Sequence, residues 1–445
     1  MGFIDTFRNT LIDRLTDFLI PPDLLARRRE LAGYRNYRAG KQDKQLKTKP
    51  LQIDDNIIMN FTGLVIDRSV SMLFGKGLTF DYESDAIEEY LDNVWAANRK
   101  EILLHKMGLT GAESGTWYIK IIPDGKIYHG KTYPRLIVLD PLLMSIETMP
   151  DDMETITGYN ITYMIKKDGK EVVFRERTYF NESGAWQIDN GYMQHDRFIV
   201  EEAAIWQYDF PPIIHGKNLP TIETPYGDPD VTADVIELQD RINLTSSNIS
   251  KILRLHAHPI LVGKGFAGQG AIDVEPGKLL NTTETQEIYA VEMQSDLASS
   301  QQYLMTMRQS LFDVTRTVDI SSISDKLGAL TNFGLRVLYQ DALAKNETKK
   351  RLYGDAILEL NRRLLILAGM SEDEGQIEWP DPLPISEQEE IAGLTFDIQN
   401  ELVSKQTISG KRGYNYEAEA ERINAEKAQG DNIGAILLQN FNRGT

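Results

Sequence analysis

The sequence predicts an α+β chain whose first half mixes helices with many short strands and whose second half is built from long helices. Three observations predict it. From about Trp117 to Phe210 short β-rich runs follow one another: Trp117 to Ile122, Leu136 to Leu139, Tyr159 to Ile165, Glu171 to Phe180 and Ile199 to Tyr208. A joint rich in Pro and Gly, Pro211-Pro212 through Pro225, Gly227 and Pro229, closes that region. Past the joint, apolar residues recur every three or four positions over stretches far longer than a strand.

In chain order, Ile4, Phe7, Leu11, Leu15 and Phe18 lie at helical spacing but are interrupted by Asp5, Arg8, Asp13, Arg14 and Asp17. This pattern reads as a surface amphipathic helix ended by Pro21-Pro22, and as neither a signal peptide nor a membrane span. Helical sequence follows at Ile57 to Phe74 and Asp85 to Leu109. Within the β-rich region, Asp124-Gly125 and Asp168-Gly169 are hairpin signals, because both dipeptides tolerate the positive φ of a tight turn.

The stripe Val231, Val235, Leu238, Ile242, Ser246, Ile249 and Leu253 predicts a helix from about Asp230 to Leu255, roughly 39 Å long. Asp230, Asp234, Glu237 and Asp240 occupy its first half and Lys251 and Arg254 its end, which suits the helix dipole. Pro259 ends it, and a glycine-rich, β-like insert runs to about Glu292. A second stripe, Leu297, Leu304, Met307, Leu311, Val314 and Val318, completes an antiparallel pair with the insert at its far tip. Asp319 to Gly334 lacks periodicity. A third helix is expected from about Leu335 to Ala368, with a solvated stretch, Lys345 to Arg351, in its middle.

The 445 residues allow two to four compact units on a prior of about 100 to 200 residues each. With 41% hydrophobic and 26% charged residues the chain is a folded one. It has no cysteine, which excludes disulfides, thiolate metal sites and cysteine nucleophiles. The net charge of -18 argues against an ordinary nucleic-acid binder, but its distribution is uneven. Residues 1–50 hold 11 basic and 6 acidic side chains, net +5, whereas residues 371–445 hold 6 and 15, net -9. The acidic end serves solubility, or forms a surface that DNA must pass without sticking.

Gly263-Lys-Gly265-Phe-Ala-Gly268 matches a dinucleotide-binding fingerprint, but Gln269 to Leu280 contains Gly270, Pro276 and Gly277 and no helical stripe. The helix N-terminus that would face a pyrophosphate is missing, so the segment reads as a loop. No G-x-x-x-x-G-K-[ST] occurs, so any motor must be another polypeptide. His256 and His258 point apart at a helix end and do not make a metal pair. No catalytic residue, cofactor or metal ligand is assigned.

Several short segments then have to be taken together: Asn60 with Val65-Ile66 and Leu73-Phe74-Gly75-Lys76-Gly77; Gly115-Thr-Trp-Tyr-Ile-Lys120; Pro134-Arg-Leu-Ile-Val-Leu-Asp-Pro141; and Gly227-Asp-Pro-Asp230 leading to Asp240-Arg-Ile-Asn243. Near the end come Ile377-Glu-Trp379 through Leu383-Pro384, Leu402-Val-Ser404 and Glu417-Ala-Glu-Ala-Glu-Arg422. In this order, with the helix, insert, helix, loop and long-helix series, the chain resembles tailed-bacteriophage portal proteins, the head-tail connectors, especially of long-tailed phages.

The resemblance implies a portal-like subunit with an α/β wing, a helical-hairpin stem carrying a small β clip, a long wing helix and a short helical crown. It assigns 1–228 to the wing, 229–256 and 294–318 to the stem, 257–293 to the clip and 319–334 to the tunnel loop. The long wing helix and return segment take 335–400, and the crown 401–445. It further implies a non-enzymatic homo-oligomeric ring, a dodecamer, at one capsid vertex of the virion, assembled in the host cytoplasm. Its channel would serve packaging, retention and ejection of double-stranded DNA without sequence specificity. Expected partners are the terminase large subunit, then a head-completion adaptor protein, and the major capsid or scaffold protein, with no membrane. Clip docking candidates are Lys264, Phe266, Gln269, Asp273, Glu275 and Lys278. Channel candidates are Ser322, Ser324, Lys326, Leu327, Asn332 and Arg336. Lys326 would touch phosphate transiently, the alternative being a solvated charge or a subunit salt bridge. Two other classes stay open, a minor head protein and a dinucleotide-dependent enzyme.

Overall fold

The computed structural model describes residues 22–47, 54–167, 169–194, 197–222, 224–257, 261–264, 287–290, 297–323, 332–384 and 387–425. The chain divides into two compact units, one of residues 1–329 and 337–382 and one of 330–336 and 383–445.

In the larger unit α1 (Pro22–Arg38) opens on Pro22. Proline suits a first helical position because its missing N–H would have no partner there. The amphipathic stretch from Ile4 to Phe18, expected to end at Pro21-Pro22, lies outside the described residues. Among the described basic residues of the early chain, Arg35 and Arg38 are held by ion pairs to later elements. Arg35 grips Asp140 at 2.7 Å and Arg38 reaches Asp67 at 3.0 Å, while Glu113 lies between the two arginines at 3.6 and 3.3 Å.

Helix α2 (Phe61–Phe74) is capped by the Asn60 side chain, which accepts from the Gly63 amide, and it buries Val65, Ile66, Val70, Leu73 and Phe74. It starts later than expected, and residues 54–60 belong to neither a helix nor a strand. Strand β1 (Thr79–Asp81) pairs far along the chain with β12 (Gln376–Glu378). The stretch read as one helix from Asp85 to Leu109 is two, α3 (Asp85–Ala97) and α4 (Lys100–Ser114), separated at Arg99 with φ 58°. Asn98 at that break serves the neighbouring sheet. Its Nδ2 donates to the Pro134 carbonyl at 2.9 Å and its Oδ1 accepts from the Leu136 amide at 2.8 Å.

Strands β2 (Thr116–Tyr128), β3 (Lys131–Leu139) and β9 (Ile213–Lys217) form an antiparallel sheet in the order β3-β2-β9. Asp124-Gly125 is not its turn. Strand β2 runs through it with a shift of register between Ile122 and Lys126, and the reversal falls at His129-Gly130, both at positive φ (47° and 75°). Strands β4 (Met144–Thr148), β5 (Ile156–Lys167), β6 (Lys170–Phe180), β7 (Trp186–Gln194) and β8 (Arg197–Ile205) form a second, five-stranded antiparallel sheet in chain order. Its β5–β6 reversal is at Gly169, as expected, while β7 had no sequence signal strong enough to be read.

Helices α5 (Ala233–Ala257) and α6 (Leu297–Val314) are the expected pair, and strands β10 (Leu261–Lys264) and β11 (Glu287–Ala290) lie between them in sequence. A short α7 (Ile320–Ile323) follows. The third long helix is broken at Tyr339 into α8 (Asn332–Leu338) and α9 (Gln340–Leu367). Helix α9 closes the main core: its Tyr353, Ile357, Leu360 and Leu364 pack with Leu91, Trp95, Leu104, Met107 and Trp117, all at most 0% exposed. Trp95 Nε1 donates to Asn361 Oδ1 at 2.8 Å, so the buried indole is satisfied. In the smaller unit α10 (Glu387–Gln399), α11 (Lys405–Lys411), capped by Ser404, and residues 416–425 are helical.

His215 on β9 lies in a cleft of about 270 Å³ with Tyr159, Trp186 and Arg363, its Nδ1 3.3 Å from the Tyr159 hydroxyl. Loss of solvent pulls its pKa down to about 4, against the hydrogen bond its ring gives the Pro225 carbonyl. A base whose folded pKa is depressed contributes stability above its unfolded pKa of about 6.5 and loses it as pH falls through 4. Acidification from pH 6.5 to 4 is expected to cost up to about 3 kcal/mol through this residue. His215→Gln should flatten that part of a stability-versus-pH curve, and an unchanged curve would remove the histidine from the account.

Candidate functional site

Among the described residues no group of three His, Asp or Glu side chains is placed to hold a metal, and no helix is long and apolar enough to cross a membrane. The described side-chain chemistry concentrates instead around the α5–α6 pair.

Helix α5 has two working faces. Val231 just before it and Val235, Ile242 and Ile249 are buried as the apolar stripe requires. Beside them runs a polar row that the stripe conceals. Gln239 Oε1 accepts from the Phe61 and Thr62 amides at 3.1 and 3.3 Å, Asn243 Oδ1 from the Met59 amide at 3.0 Å, and Ser247 Oγ from the Ile57 amide at 2.9 Å. Arg254 then holds Asp55 through two bonds, at 2.8 and 2.6 Å. The acceptors step by four positions along α5, about 6 Å of rise, while the amides they meet step by two in the opposite direction, from residue 61 to 59 to 57. The helix thereby acts as the hydrogen-bonding partner of residues 54–60. Gln239 also serves the Thr62 amide in the first turn of α2, and shares the Phe61 amide with the Met59 carbonyl.

At the foot of the pair is a buried charge cluster. The Asp230 side chain, 0% exposed, receives Lys349 Nζ at 2.6 Å and Lys345 Nζ at 3.0 Å. Lys349 also donates to Ser69 Oγ at 2.8 Å, Asn218 Nδ2 approaches Asp230 Oδ1 at 3.4 Å, and Tyr353 donates to Asn218 Oδ1 at 3.1 Å. Burial alone would push the Asp230 carboxyl up, but the two ammonium groups hold it well below the usual carboxylate range. Burial pulls Lys349 down to about 8, with Asp230 opposing. Both stay charged near neutrality. Ser69 and Lys349 resemble a nucleophile and base in type, but Lys349 is enclosed and is held by Asp230 at 2.6 Å. The expectation that Lys345 to Arg351 is solvated is therefore corrected: Lys349, buried at 2%, lies against Asp230, and Asn346, buried at 3%, donates through Nδ2 to the Met72 carbonyl at 3.4 Å.

The joint is completed by close backbone contact. Gly115 has φ 78°, and a Cβ there would sit 1.9 Å from the Gly227 carbonyl oxygen. The Gly227 amide donates to Thr116 Oγ1 at 3.0 Å, and the Asp230 amide to the Ala112 carbonyl at 2.9 Å. The segments Gly115 to Lys120 and Gly227 to Asp230, far apart in sequence, thus form one contact.

The family model described as "Phage portal protein, SPP1 Gp6-like" matches residues 19–432. The chain belongs to this family of phage portal proteins. No curated protein matches the sequence at a significant level. Solved structures with a similar trace include the virion of a native gene transfer agent (GTA) particle, with 13% identity, 86% of this chain and 93% of that chain covered and a TM-score of 0.44. Another is the neck of a native GTA particle with C12 symmetry, with 15% identity, 80% and 91% covered and a TM-score of 0.42.

In this portal protein Lys264 is exposed at the end of β10 and faces Glu287 of β11 at 3.2 Å. Phe266, Gln269, Asp273, Glu275 and Lys278 lie outside the described residues. The β10–β11 pairing is antiparallel, whereas a dinucleotide site needs a strand followed by a helix and a parallel strand, so the described part of this segment does not support that reading. The stretch expected to be a loop is helical at both ends: Ser322 lies in α7, Asn332 opens α8 and Arg336 is in its last turn. Ser324, Lys326 and Leu327 lie outside the described residues. Of the residues that hold the foot of the helix pair and form the polar row, the sequence marks Asp230 only through the helix dipole and a short motif, and Asn243 only through a motif. Lys345 and Lys349 are marked only as part of a stretch expected to be solvated, while Gln239 and Ser247 carry no mark. Repetition at every fourth position is shared by a solvated helix face.

Proposed function

We propose that this portal protein closes into a ring, a dodecamer, with a channel for packaging, retention and ejection of double-stranded DNA at one vertex of a virion. The observation that carries the ring is the apolar surface left on the helix pair: Leu253 is 50%, Tyr303 49% and Met305 71% exposed in the single chain. Such side chains on long helices are covered when copies pack side by side, and a head-to-tail interface that closes makes a ring. On this reading residues 1–228 with part of α9 form the wing, α5 and α6 the stem, 257–293 the clip, 319–334 the tunnel loop and 401–445 the crown. The clip, with Lys264, Phe266, Gln269, Asp273, Glu275 and Lys278, would dock the terminase large subunit and later a head-completion adaptor. Lys326, with Ser322, Ser324, Leu327, Asn332 and Arg336, would border the DNA. The subunit itself would turn over no nucleotide.

Negative-stain imaging and mass photometry of the purified protein are expected to show closed rings with a central channel, without ATPase activity. A stable monomer at micromolar concentration, or ATP hydrolysis that follows the chain through purification, would overturn the reading.

A further inference from the structure

Between Leu297 and Leu327 the sequence contains neither Gly nor Pro, yet α6 stops at Val314 and α7 starts at Ile320. The stop has the bonding of a helix end that normally carries glycine: the Thr317 amide donates to the Phe312 carbonyl at 2.9 Å and the Arg316 amide to the Asp313 carbonyl at 3.0 Å. The residue in the left-handed position is Arg316, φ 55°. A side chain with a Cβ is disfavoured there and accepted in a helix. What holds the turn is a set of three cations from three helices. Lys345 of α9 donates to the Thr315 carbonyl at 3.2 Å, Arg68 of α2 to the Val318 carbonyl at 2.8 Å, and Arg308 of α6 to Asp319 Oδ1 at 2.7 Å. Asp319 Oδ1 also accepts from the Ser321 amide at 3.2 Å, which gives α7 its own start.

We propose that residues 315–319 are a hinge with two states, bent as described and continuous with α6 and α7 joined, and that Lys345 is the positioning residue that selects the bent state. Lys345 is suited to this because the same ammonium also lies 3.0 Å from Asp230 at the start of α5. One side chain of α9 therefore touches both feet of the helix pair. Losing it frees the α6 carbonyl end and removes the link between the feet, while Lys349 still occupies Asp230. A helical continuation of residues 315–319 then relieves Arg316 and satisfies its amides within the helix. The inference concerns the single chain and does not depend on the ring reading.

The cysteine-free sequence makes the test direct. Spin labels on Met305→Cys and Ile320→Cys, both exposed, report the bend, with labelled chains diluted into unlabelled full-length protein so that distances within one chain are read. A continuous helix separates these positions by about 22 Å along its axis. The parent should give one shorter population. Lys345→Met should add a population near the straight-helix distance, and adding Arg316→Gly to it should restore the bent one alone. The hinge is refuted if Lys345→Met reproduces the parent distribution, or if the added Arg316→Gly leaves the straight population in place. If Lys345→Met does not fold, Lys345→Gln, which removes the charge and shortens the side chain, is read in its place.

Discussion

Asp230→Ala is expected to lower the unfolding free energy by about 3–5 kcal/mol, because it leaves Lys349 charged and enclosed with no counter-ion. The Lys349 side chain is 2% exposed and Lys345 12%, so neither can turn to water without opening the joint. The cost of a broken buried pair is mainly that of the abandoned charge. Replacing Asp230 and Lys349 together by apolar residues of similar size should therefore recover much of the loss, and Lys345 can still reach the Thr315 carbonyl. Urea unfolding of the parent and the two variants checks this. A loss below about 1 kcal/mol for Asp230→Ala would mean that the cluster is solvated and the description of the joint is wrong.

Gly115→Ala is expected to be the most damaging small substitution, at roughly 3 kcal/mol or more, since two costs add at one atom. The backbone has φ 78°, and the new Cβ would lie 1.9 Å from the Gly227 carbonyl oxygen and 2.6 Å from its carbon. Backbone cannot rotate away as a side chain can. Gly169→Ala is the matched control: it has φ 76° but nothing within 4 Å of the added atom, so only the conformational cost of about 1–2 kcal/mol applies. The difference between the two thermal or urea midpoints isolates the contact. Equal losses would show that the Gly115–Gly227 approach carries no stability.

How far the fold was legible depends on the element. The α5 and α6 helices, the Pro/Gly joint before them and the β-rich block lie where the spacing puts them, but the expected stripes are not buried throughout: Leu253 and Val314 are each 50% exposed, and Val318 lies past the end of α6. Breaks were legible only when a breaker stood there. The helix from Asp85 divides at Asn98-Arg99 and the late helix at Tyr339 with neither Gly nor Pro to mark the place. Both strands of the first hairpin contain the β-rich runs the sequence shows, yet the turn lies at His129-Gly130 and the Asp-Gly signal at 124–125 falls on a register shift.

By itself the sequence determined the α+β class, the long paired helices with a β-like insert, the absence of cysteine chemistry and, through the order of its motifs, the portal family. Local pattern suffices for these, since periodicity and chain order are properties of neighbouring residues. Only the tertiary structure decided that Gln239, Asn243 and Ser247 hold the segment leading into α2, that Gly115 meets Gly227, and that Lys349 lies against Asp230, 119 residues away. A lysine on the polar side of a helix has the same neighbours in sequence whether water or a buried carboxylate faces it. The difference lies in desolvation and Coulomb attraction, which depend on distance in space, and the packing of α9 over the foot of the helix pair sets that distance.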